Sequence, residues 1–121
     1  MRIALAAFLI ALAGCATPPP SAEPSFTGQH RSACLPEAAA MTEGLRKSGI
    51  TARVLIISTA SWKHAVTVYL YPAGSNRLWV WDSTWKSNQV RAWWNDPTGI
   101  ARAWLTVLAR PQPITAATFL D

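Results

Sequence analysis

Acidic residues, histidines and cysteines are all scarce in this chain. Its 121 residues hold six Asp and Glu, two His and two Cys. Two cysteines cannot build the multi-bridge framework of a small disulfide-stapled domain. With two histidines and no ligand-like cluster, neither a metal nor a cofactor is expected. No apolar run reaches the roughly 18 residues that mark a transmembrane helix. The formal charge is +5, but the cations stand singly rather than in a patch, which excludes a nucleic-acid signature. Such a balance suits a neighbour of anionic polymers and lipids. Half the residues are hydrophobic and seven are tryptophan, so a disordered chain is excluded and a core can close without staples.

What is present begins at the amino end. Met1 and Arg2 give a short positive region, and residues 3–13 are uninterrupted apolar sequence. That is the core of a signal peptide, too short to span a bilayer stably. It ends in Leu12-Ala13-Gly14-Cys15, small residues directly before a cysteine, which resembles the lipobox of bacterial lipoprotein precursors. The resemblance implies cleavage after residue 14, lipidation of Cys15 and a membrane-anchored protein facing the periplasm. Ala16, where an aspartate would favour the inner membrane, points to the outer one.

Residues 17–27 hold Pro18, Pro19, Pro20 and Pro24 among serines, a composition that reads as an extended tether. The expected organisation is a signal at 1–14, a lipidated cysteine and tether at 15–28, and one domain at 29–121.

If the lipid takes Cys15, Cys34 is left as the only thiol of the mature chain. A lone cysteine reads either as inert packing or as a reactive group. The spacing predicts a helix over 35–47, with Pro36 in its first turn, Glu37 near the positive end of the dipole and Gly49 just past its end. Cys34, Ala38, Met41 and Leu45 fall on one inward face. At the mouth of that helix, the dipole would favour the thiolate.

Three strand-like runs follow, at 51–58, 63–71 and 77–82, each rich in β-branched and aromatic residues. Pro72-Ala73-Gly74-Ser75-Asn76 reads as a hairpin loop. A hairpin centred near Gly74 pairs residues whose numbers sum to 148, so Asp82 faces Val66 and lies diagonal to His64. Both side chains then leave the same face, roughly 7–8 Å apart, within reach of an imidazole and a carboxylate. A one-residue slip would separate them.

A thiol, an imidazole and a carboxylate in this order suit covalent acyl transfer. His64 would take the thiol proton and Asp82 would fix the imidazole tautomer. The local text resembles the transglutaminase-like proteins of the papain-like cysteine-enzyme group. Gly49-Ile50-Thr51-Ala52-Arg53-Val54 is similar to that family's Gly-Ile-Pro-Ala-Arg-Val, His64-Ala65 to its His-Ala, and Trp81-Asp82-Ser83-Thr84 to its aromatic-Asp-Pro-Thr. The likeness spans residues 32–85. It implies Cys34 as nucleophile, His64 as base, Asp82 as orienter, and an amide of a peptide or protein as substrate. Thr51 and Ser83 replace the family's prolines, Ser32 a glycine and Val66 a tryptophan, which marks a divergent member.

Gln29, five residues before Cys34, reads either as a loop residue or as an oxyanion donor; the backbone amide of Cys34 is the stronger donor candidate. His30 reads as surface or site, with surface favoured. Trp79 and Trp81 should leave the hairpin on the face opposite Asp82, and Trp62 on the His64 face. Trp93 and Trp94 fall in a loop before Asp96-Pro97, a capped start for a last helix over 98–109 whose stripe is Ile100, Ala101, Trp104, Leu105 and Leu108. That helix should cover the other face of the sheet. The expected fold is α+β and papain-like: a nucleophile helix on a small antiparallel sheet, with a carboxy-terminal helix. The expected activity is amide hydrolysis or, less favoured, transamidation. A non-catalytic envelope binding or assembly module is the competing reading, and a cell-wall-cleaving papain-like peptidase a third.

Overall fold

Spacings of four, three and four bring Cys34, Ala38, Met41 and Leu45 to one side of helix α1 (Gly28–Lys47), and that side packs inward against Val54, Ala65, Tyr69 and Trp81. The computed structural model describes residues 28–120, with side chains from Cys34 onward. The expected signal sequence at 1–14, Cys15 and the proline-rich stretch at 17–27 lie outside the described residues. Helix α1 starts seven residues earlier than expected, with Pro36 inside it. An interior proline loses its own N–H bond and crowds the carbonyl four residues back, so it is a helix-start signal, and Pro36 departs from that rule here. Arg46 and Lys47 occupy the last turn, where cations favour the dipole. Gly49, at φ +83°, closes the helix: its N–H donates to Arg46 O at 3.0 Å, and the Ile50 N–H donates to Leu45 O at 2.9 Å.

The remaining elements are β1 (Ala52–Ser58), β2 (Lys63–Leu70), β3 (Leu78–Asp82), β4 (Lys86–Val90), α2 (Pro97–Val107) and β5 (Ala116–Leu120). The five strands form one antiparallel sheet in the order β4-β3-β2-β1-β5. Thr67 faces Trp81 and Val68 faces Val80, so the β2–β3 hairpin holds the predicted register about Gly74. Strands β4 and β5 were not foreseen. Lys86-Ser87-Asn88-Gln89 is polar and only Val90 of β4 is buried, so no alternating apolar signal marks it.

Alternation splits the sheet between the two helices. Leu55, Ile57, Val66, Val68, Leu78 and Val80 face α2, where they pack on Ile100, Ala101, Trp104 and Leu105. Helix α2 therefore covers the face opposite α1, as its stripe predicts. Asp96 caps it by accepting the Gly99 N–H at 3.0 Å, with Pro97 at the first helical position. The α1 face is smaller and partly polar. There the Thr67 hydroxyl donates to Ala38 O at 2.8 Å and meets the Thr42 hydroxyl at 3.1 Å, tying α1 to β2. Trp81 and Trp79 lie on this side, as the parity of β3 requires.

The loop after β4 carries Trp93, 81% exposed, and Trp94, on whose ring the Arg53 guanidinium sits at 4.1 Å. The same guanidinium lies 3.4 Å from the centre of the Phe119 ring, so Arg53 links this loop to β5. Trp94 thus packs on the Arg53 guanidinium. The architecture is α+β, a five-stranded antiparallel sheet between two helices. Among the described residues no helix is long and apolar enough to cross a membrane.

Candidate functional site

The site forms where β2 begins and β3 ends. His64, the second residue of β2, shares the parity of Val66 and Val68 and so faces α2. Asp82, the last residue of β3, shares the parity of Leu78 and Val80 and faces the same way. The register makes them diagonal neighbours, and His64 Nε2 lies 2.9 Å from Asp82 Oδ2. Both are buried, at 3% and 2% exposure. The second carboxylate oxygen is also engaged: Oδ1 accepts the Trp85 N–H at 2.7 Å and so fixes the turn into β4. Lys86 stands in this turn at φ +61° and donates to Ser83 O at 2.6 Å. Burial depresses the Lys86 pKa below the usual lysine value, against the opposing pull of Asp82.

An aromatic wall surrounds the imidazole. Trp104 of α2 runs nearly parallel to it, with ring centres 6.2 Å apart, and Trp62 meets it edge-on at 6.5 Å. Trp85 stands edge-on to Trp104 at 6.0 Å. Trp62 thus borders His64 as its parity indicates. The contributions of Trp85 and Trp104 were not read from the sequence, where both looked like ordinary core; the only available signal was the even spacing from Trp62 to His64. This wall holds the ring in place and removes it from bulk water, so charge–dipole interactions at the pair act in a low dielectric.

Cys34 lies on α1, 2% exposed, packed on Ala38, Val54 and Ala65. Ala65 follows His64 in β2, so the sulfur abuts the strand that carries the imidazole. Alternation turns Ala65 toward α1 and His64 toward α2. The structure therefore joins His64 to Asp82 directly and seats Cys34 against the neighbouring residue of the same strand. Two expectations about Cys34 need correction. It is not at the mouth of its helix but in the second turn, because α1 starts at Gly28, so the dipole offers its sulfur less than a first-turn position would. Nor is it a lone thiol, since Cys34 is disulfide-bonded. The expectation counted one cysteine as consumed by lipid, but the sequence carries two.

Gln29 and His30 fall in the first turn of α1, where side chains are not described. Cys15 lies outside the described residues. No known family, curated protein or solved structure matches the chain.

Proposed function

We propose that the protein is an envelope-anchored cysteine enzyme acting on amide bonds, with Cys34 as nucleophile, His64 as general base and acid, and Asp82 as orienter. The observation that carries this reading is the buried 2.9 Å contact between His64 Nε2 and Asp82 Oδ2. It holds one ring nitrogen against a carboxylate, which supports a reading in which the other, Nδ1, transfers the proton. The sulfur must first leave its disulfide. Lipidation of Cys15 would remove the other cysteine of the sequence from disulfide chemistry, leaving Cys34 to act as a thiol. Ala65 and His64 leave opposite faces of β2, so this reading requires the sulfur to meet the imidazole around the amino end of that strand.

In the reaction, His64 takes the Cys34 proton and the thiolate attacks the amide carbonyl. The carbon–nitrogen bond breaks as His64 returns that proton to the departing amine, leaving a thioester. Water, activated by His64, then opens the thioester to a carboxylate and restores the thiol. An amine in place of water would give a new amide, but water's abundance favours hydrolysis. The family resemblance of residues 32–85 supports the same class, and the lipid anchor and tether would confine it to substrates near the membrane surface, on its periplasmic side.

A second reading is favoured by the disulfide at Cys34 and by the burial of all three groups. In it the domain is a non-catalytic binding or assembly module, with His64 and Asp82 serving as a buried polar brace. One experiment separates the two: iodoacetamide alkylation of the lipid-processed, reduced protein across a pH series, read by mass spectrometry. The enzyme reading expects Cys34 to alkylate well below the ordinary thiol pKa of about 8.5, and to lose that reactivity in His64→Ala. A reduced Cys34 that stays inert until high pH would overturn it.

A further inference from the structure

We propose that the groove between β4 and α2 binds an extended, carboxylate-bearing peptide segment, which adds to β4 as a sixth strand. The groove is open and shallow, with a volume of about 600 Å³, and shares no residue with the His64–Asp82 pair. Gln89, Val90 and Arg91 form one wall, and Arg102, Ala103 and Val107 the other. Among the described residues strand β4 is at the edge of the sheet and pairs only with β3, so the backbone N–H and C=O groups on its outer side have no strand partner there. An edge of this kind is a template for an incoming strand.

Charge decides which peptide fits. Arg91 and Arg102 are both exposed, and neither has a carboxylate partner among the described residues. Two guanidiniums at the rim of a partly apolar cleft match a carboxylate through bidentate hydrogen bonds. Half-buried Ala103 and exposed Val107 supply the apolar surface on which side chains of the incoming strand can rest. Natural edges are usually protected by charge and shortness, and β4 is short. Its one lysine, however, is turned back to Ser83 O at 2.6 Å, and the rest of the strand, Ser87-Asn88-Gln89-Val90, is uncharged. The edge beside Arg91 is therefore open to a strand of opposite charge. This site stands independently of the Cys34 chemistry.

The test uses the purified full chain and a fluorescein-labelled Thr-Val-Glu-Val-Glu-Val peptide, followed by fluorescence anisotropy. The Glu-containing peptide should bind about tenfold or more tightly than its Gln counterpart, the ratio set by charge-assisted hydrogen bonds. The Arg91→Gln/Arg102→Gln variant should lose that preference while keeping its far-ultraviolet circular dichroism. N-methylation of alternate peptide amides should abolish binding, as strand addition requires. Equal binding of the two peptides, or binding unchanged in the double variant, overturns the proposal. So does retention of the N-methylated peptide with displacement by inorganic phosphate, which would show a plain anion site. A concentration-dependent dimer in sedimentation that Asn88→Pro dissolves would also overturn it, by assigning the edge to a second copy.

Discussion

His64 and Asp82 are eighteen residues apart in the chain and 2.9 Å apart in space, joined by a hairpin diagonal. Asp82 also accepts the Trp85 amide at 2.7 Å, so its carboxylate serves two donors in a buried setting. Asp82→Ala removes both acceptors at once. Each buried donor left unsatisfied costs about 1–3 kcal/mol, so a loss of about 2–6 kcal/mol is expected in urea unfolding. Asp82→Asn keeps the shape and one acceptor oxygen and should cost less than half as much. A loss for Asp82→Ala below about 1 kcal/mol would show that the pair is solvated in solution.

The pairing behind that contact was legible in sequence because two independent signals agreed. Gly74, at φ +84°, centres the loop, and the even numbers of His64, Val66, Val80 and Asp82 set one face. A period of two is all that was needed, so the hairpin was readable from β-branched and aromatic runs. The start of α1 was not, because Pro36 is ordinarily a helix-start signal and here stands inside the helix. Strand β4 was hidden by its polar edge position, which gives it no buried alternate set. Strand β5, with Ala116, Ala117 and Thr118, is half exposed along its length and lacks a strong pattern. The disulfide at Cys34 could not be read at all, since no local sequence preference marks a paired cysteine.

Tyr69 provides a pH dependence. Its hydroxyl donates to Ser87 Oγ at 2.7 Å, and its pKa is raised above 10.0, chiefly by burial and to a smaller extent by Tyr71, against the lowering effect of the Ser87 bond. Between pH 10 and that raised value, the unfolded chain loses the phenolic proton while the folded chain keeps it. The stability it contributes is therefore complete below pH 10 and lost as pH rises through the folded pKa. In urea unfolding, Tyr69→Phe should flatten the decline between pH 9 and pH 11 relative to the wild type. Parallel declines in the two proteins would exclude Tyr69 as its source.

Ala109 closes α2 in a conformation that suits glycine. It stands at φ +60°, where its N–H donates to Thr106 O at 3.0 Å and the following Arg110 N–H donates to Leu105 O at 2.8 Å. An L residue with a Cβ pays a steric penalty of about 1–2 kcal/mol in this region, and glycine does not. Part of that gain is offset by the greater freedom of glycine in the unfolded chain. Ala109→Gly should therefore raise stability by about 0.5–1 kcal/mol in thermal or urea unfolding. A decrease would mean that the Ala109 methyl contributes packing beyond what its position suggests.

At the other end of the same helix, Asp96 and Gly99 form a coupled pair. The Asp96 carboxylate accepts the Gly99 N–H at 3.0 Å, and a Cβ added at Gly99 would collide with that carboxylate. Two opposing effects thus act on Gly99→Ala. Alanine is the better helix former by about 1 kcal/mol, but it displaces the cap, whose loss costs a similar amount. In the wild type the two should nearly cancel or leave a net loss. In an Asp96→Ala background the cap is already gone and the collision with it, so Gly99→Ala should stabilise by about 0.5–1 kcal/mol. The sign of the substitution therefore depends on its neighbour, and a double-mutant cycle in urea measures the coupling directly. Equal effects of Gly99→Ala in both backgrounds would show that the carboxylate moves aside at no cost and that the cap does not depend on the absence of a side chain at residue 99.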